Sequence, residues 1–133
     1  MASGLTTAER NRYLTATFKT QTVYGACCTA DPGDAADMSE CEVADQYAYA
    51  RTQITFGDDA AAGSIANTGA LTFPAANGGS HGLITHLAIC TTNIEDADTA
   101  IASGEMTASK QIDDGDQLVF AIGNITVSIE AQA

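Results

Sequence analysis

The sequence predicts a mainly β fold: an antiparallel β-sandwich, Ig-like or jelly-roll-like, behind one short N-terminal helix. Three observations carry that reading. Apolar and polar residues alternate in short runs, with turn residues between the runs at about every ten positions. Helix-start signals occur once, near the N-terminus. The last two apolar runs flank Gly123-Asn124, a dipeptide suited to a tight hairpin turn. At 133 residues the chain fits a single domain over 1–133, with the helix at about 6–19 and strands from about 22 to 130.

The helix comes first. Thr6-Thr7-Ala8-Glu9 reads as a capping box, in which the Thr6 hydroxyl and the Glu9 carboxylate satisfy each other's backbone amides. Leu14 and Phe18 follow at i, i+4 spacing and give the helix an apolar stripe. The run Thr22 to Thr29 then reads as a strand that stops at Pro32-Gly33. From Ala48 to Phe56 the pattern puts Ala48, Ala50, Ile54 and Phe56 on one face, opposite Tyr49, Arg51, Gln53 and Thr55. Ile65, Leu71 and Phe73 share a face in the next run, before Pro74 and Asn77-Gly78-Gly79-Ser80 break it. Gly82 to Cys90 is apolar on both faces apart from Thr85 and His86, as a central strand requires. Met106 to Ile112 is a weaker strand signal. In the final hairpin, a Gly123-Asn124 turn pairs Ile122 with Ile125, Phe120 with Val127 and Leu118 with Ile129, all on one face.

Charge and composition narrow the function. Seventeen acidic residues against five basic ones leave a net charge of −12, which repels phosphate backbones and makes nucleic acid an unfavourable partner. No stretch has the ~20 apolar residues that a membrane helix needs, so no membrane partner is expected. The opening MASGLTTAERNRYL lacks the basic and apolar regions of a signal peptide, so synthesis in a host cytoplasm is expected.

Candidate chemical residues reduce to architecture. Asp31, Asp34 and Asp37 supply carboxylates for a hard cation, but their spacing fits no EF-hand, and Asp before Pro-Gly is ordinary turn chemistry. Cys27 and Cys28 are neighbours in a strand and point to opposite faces, which rules out one shared tetrahedral site. Cys28 and Cys41 flank the Asp-rich loop, and a disulfide closing that loop is within geometric reach; otherwise the four cysteines act as small buried hydrophobes. His86 has no neighbouring nucleophile motif and reads as a structural histidine. No metal, cofactor or catalytic site is expected.

Read in order, the segments carry a resemblance. Thr-Ala-Asp-Pro-Gly-Asp (29–34) is followed by Glu42-Val43, Tyr49-Ala50-Arg51 and Thr55-Phe56-Gly57. Ser-Ile-x-Asn-Thr-x-x-Leu-Thr-Phe-Pro (64–74) and Ile-Thr-His-Leu-x-Ile (84–89) come next, then a Gly-Asp strand from Gly115. This order resembles a family of small tailed-bacteriophage virion proteins, described as head decoration or minor tail proteins. The resemblance implies a non-enzymatic virion protein, first a capsid decoration (cement) protein on the capsid surface, bound to the major capsid protein. Self-association as a trimer or dimer at capsid symmetry axes fits that picture. The alternative is a minor tail, tail-tip or fibre-base protein that contacts the host. The absence of repeats favours decoration over a fibre shaft, and the lack of Trp argues against a glycan-binding platform. The contact elements expected on this reading are the segment before Thr6, the loop carrying Asp31, Asp34 and Asp37, and the Tyr47, Tyr49 and Arg51 face, Arg51 being equally suited to an internal brace.

Overall fold

A computed structural model describes residues 4–130. The fold is mainly β, 34% strand and 13% helical, with antiparallel sheets and one N-terminal helix of more than one turn, in keeping with the predicted class. The sequence reads as one domain; backbone contacts gather the chain into two compact units, each built from separated segments. One comprises residues 1–22, 54–70 and 120–133, the other 23–53 and 71–119. Among the described residues no helix is long and apolar enough to cross a membrane.

The first unit opens with α1 (Thr7–Leu14), which runs into a π-helical turn, Thr15–Lys19. Half of the expected capping box forms. Thr6 Oγ1 accepts from the Glu9 amide at 3.3 Å, but the Glu9 carboxylate turns to the Arg12 guanidinium instead of the Thr6 amide. A full positive charge one turn along outcompetes a neutral donor. Leu14 and Phe18 are buried as the stripe predicts, and the Phe18 ring meets Phe56 edge-on at 5.6 Å between centroids. Strand β3 (Ser64–Ala66) pairs antiparallel with β8 (Thr126–Ser128), Ile65 opposite Val127.

The second unit is organised on a four-stranded sheet. Its order is β2 (Thr52–Ile54), β1 (Val23–Cys28), β5 (Gly82–Cys90) and β6 (Ala100–Ile112). The continuous apolar run of β5 sits in the middle, where both faces need covering. Tyr24 pairs with Cys90 and Cys28 with His86, so even-numbered side chains of both strands share a face. That face gathers Ala26, Cys28, Ala88 and Cys90 with Met38 and Cys41 of a short helix, α2 (Met38–Cys41), into one buried cluster. Small side chains let the helix approach the sheet closely.

Several local expectations give way to longer-range pairing. The final hairpin does not form: β7 (Val119–Phe120) pairs with β4 (Leu71–Thr72), while β8 pairs with β3. The chain does turn at Gly123, where φ is +83° and the Asn124 amide donates to Ala121 O. The two arms nevertheless leave that turn toward different strands, and Ile122 stays 66% exposed. The predicted strand from Ala48 is shorter as well. Tyr47 and Ala48 both take left-handed φ values (56° and 67°), which breaks the extension; Ile54 and Phe56 are buried as expected, but Tyr49 and Arg51 are buried too and Ala48 is exposed. Ile65, Leu71 and Phe73 are all buried as expected, although a turn at Asn67–Ala70 splits their run into β3 and β4.

Candidate interaction surface

The Asp-rich loop hangs between the end of β1 and residue 43. Its base is tied by the Thr29 amide donating to Cys41 O, the Val43 amide donating to Cys27 O, and a bridge between Cys28 and Glu42. Asp31 behaves as turn chemistry dictates, its Oδ1 accepting from the Gly33 amide at 2.9 Å. Asp37 accepts from the Ser39 hydroxyl, and the α2 amide of Met38 is capped by Asp98 Oδ1 at 2.9 Å. Asp31 and Asp34 are exposed and Asp37 is half-buried. The loop therefore presents carboxylates on a fixed backbone. Among the described residues no group of three metal-ligating side chains converges anywhere in the chain.

The Tyr47, Tyr49, Arg51 face divides. Tyr47 remains 39% exposed, with its carbonyl accepting from His81 Nε2 and the Asn77 amide. Tyr49 and Arg51 are buried, which corrects their expected place on a contact face and supports the internal brace. The reason is Glu42. Its carboxylate accepts from Arg51 Nη2 (2.7 Å) and Nε (2.9 Å), from the Tyr49 hydroxyl (2.5 Å) and from the Asp96 amide (2.8 Å). Arg51 spends its remaining donors on Thr92 O, Ala97 O and Thr99 Oγ1. A buried charge pair is tolerable only when every donor and acceptor is used, and this one meets that condition. Burial resists the charge on Arg51, but the hydrogen bonds and the charge of Glu42 help to outweigh this and raise its pKa. Burial, then the nearby Cys27 and Glu42, pushes the Tyr49 hydroxyl well up.

The four cysteines, Cys28 and Cys41 among them, are buried free thiols in the structure. Burial, followed by Glu42 and the neighbouring thiols, pushes Cys28 up to about 12, and burial pushes Cys90 up to about 11. Such thiols are protonated at neutral pH and are poor nucleophiles. His86 is half-buried beside the Thr85 hydroxyl, 2.8 Å from its Nδ1.

Sequence reasoning missed the role of Glu42. The signal was present in the scarcity of cations: with five basic residues on a chain this acidic, an arginine within a strand-like run is well placed to take an internal carboxylate partner. Asn67 was missed as well. It is buried, donates from Nδ2 to Gly69 O and Ala121 O, and accepts at Oδ1 from the Ile125 amide. Both residues lie in the short motifs that carried the resemblance, so at these positions the motifs hold the fold together.

No curated protein gives a significant match to the chain. A protein-family model described as "Podophage GP4 fiber I protein gp80" matches residues 5–128, nearly the whole sequence. The chain belongs to that family, a family of phage virion proteins.

Proposed function

We propose that this protein is a non-enzymatic structural component of the tail or fibre apparatus of a tailed phage. The single observation that carries this reading is the match of residues 5–128 to a family described by a podophage fibre protein. It favours the tail and fibre-base alternative over capsid decoration. The absence of repeats fits a globular piece at a junction better than a fibre shaft. The site geometry supports the structural role: buried polar groups are spent on fixing loops, and of the expected contact residues Asp31, Asp34 and Tyr47 are exposed. An acidic loop on a fixed backbone suits docking on a basic protein surface. The Asp31–Glu42 loop is thus the contact element on this reading, and a neighbouring tail protein is the partner.

Gold-labelled antibody on intact virions tests the location, paired with adsorption and DNA-retention assays on particles lacking the protein. Label at the tail with lost adsorption and intact heads is the expected result. Label spread over the head, with heads that leak DNA on heating, would return the case to capsid decoration.

A further inference from the structure

Strand β6 is anomalous. It is 13 residues long, lies at the edge of the four-stranded sheet and is mostly exposed on both faces, so burial in a core does not account for its length. Its charge is also unlike the rest of the chain: one Glu and one Lys balance within a protein of net charge −12. Lys110 donates only to Gln117 O, at 3.2 Å, and among the described residues neither Glu105 nor Lys110 has an ion-pair partner.

The register explains how those two charges relate. Glu105 is opposite His86 and Lys110 is opposite Ile84, so one β5 residue, Thr85, faces a four-residue excursion, Met106–Ser109. In a regular strand, residues five apart point to opposite faces. His86 and Ile84 are two apart on β5, so the bulge brings Glu105 and Lys110 onto the same face.

We propose that the outer edge of β6 docks the β6 edge of a second copy of this chain, antiparallel about a two-fold axis between Thr107 and Ala108. In that register Glu105 of each copy lies opposite Lys110 of the other, and an axis perpendicular to the sheet keeps both on one face. The two lone charges are satisfied twice over by symmetry. The excursion Met106–Ser109, which has no partner on β5, lies at the axis against its own symmetry mate. Ser103–Glu105 then continues the ladder against Lys110–Ile112 of the second copy, on both sides of the axis. A head-to-tail addition onto the other sheet edge is excluded by length, because β2 has only three residues. The inference goes beyond the fibre-apparatus reading and does not depend on where the protein sits in the virion.

Sedimentation velocity on the purified chain tests it with a charge-swap cycle. Glu105→Lys sets two lysines against each other and Lys110→Glu sets two glutamates; each is expected to weaken the dimer about tenfold, from two cross-strand pairs turned repulsive. The double swap is expected to restore it. Both side chains are exposed, and unchanged urea midpoints establish that the variants fold. A chain that stays monomeric at all concentrations overturns the proposal, since the bulge and Lys110 then serve only to block edge pairing. Single swaps without effect, or a double swap that fails to recover, overturn it equally.

Discussion

Arg51 and Glu42 meet as a two-pronged ion pair whose side chains have no exposed surface, and that pair spans the loop from residue 42 to 51 and reaches the carbonyls of Thr92 and Ala97. Removing one partner leaves the other charge buried and alone. Arg51→Met or Glu42→Gln is expected to cost about 3–5 kcal/mol in urea unfolding, with the double variant losing less than the sum. Strict additivity would mean that the two side chains do not act as a pair.

Asn67 is expected to be as demanding without carrying any charge. Replacing it by Ala strands the Ile125 amide and the Gly69 carbonyl, whereas Ala121 O keeps the Asn124 amide. An unpaired buried group costs about 1–3 kcal/mol, so a total of at least about 2 kcal/mol is predicted. Thermal melting of Asn67→Ala checks this, and a shift within error of the parent would refute it.

Gly63 has φ +75°, and a Cβ there would fall 2.6 Å from Arg10 Nη1 and 3.2 Å from Ile129 O. Arg10 is itself buried, donating to Ile129 O and Thr7 Oγ1 while its Nε finds no partner. Gly63→Ala therefore adds left-handed strain of about 1–2 kcal/mol and displaces a guanidinium that has nowhere to go. A loss clearly larger than the strain alone, read from urea midpoints, is the expected outcome.

The thiols give the pH dependence. Folded Cys28 and Cys90 ionise near 12 and 11, against 9.0 for an ordinary cysteine. Between pH 9 and 12 the unfolded chain releases protons that the folded chain keeps, so stability is intact below pH 9 and falls as pH rises. Alkaline unfolding followed by circular dichroism is expected to shift upward in Cys28→Ala once the neutral-pH cost of the substitution is subtracted. Iodoacetamide at pH 8 is expected to label the native thiols only on unfolding.

Much of the fold was legible in the sequence because local pattern and tertiary demand agree there. The apolar run Gly82–Cys90 became the central strand to the residue, and Leu14 and Phe18 went inside. The final hairpin failed for an instructive reason. Its turn chemistry was sound, but partner choice is not local, and β3 and β4 took the two arms separately. Most of β6 was invisible because an exposed edge has no alternation to read. At the candidate surface, Asp31 and Tyr47 are exposed, whereas Tyr49 and Arg51 are buried on the Glu42 carboxylate, a partner that strand alternation alone does not reveal.

The splitting of that last hairpin also governs when the protein can mature. Strand β3 ends at Ala66 and its mate β8 begins at Thr126, so β3 leaves the ribosome 60 residues before the strand that covers it. At synthesis rates of about 5–20 residues per second, that is a wait of roughly 3–12 s. Asn67 waits equally long for Ala121 and Ile125. The unit containing the N-terminal helix therefore closes only once β8 has been made, and a message truncated before codon 120 yields a chain in which that unit stays open to proteases.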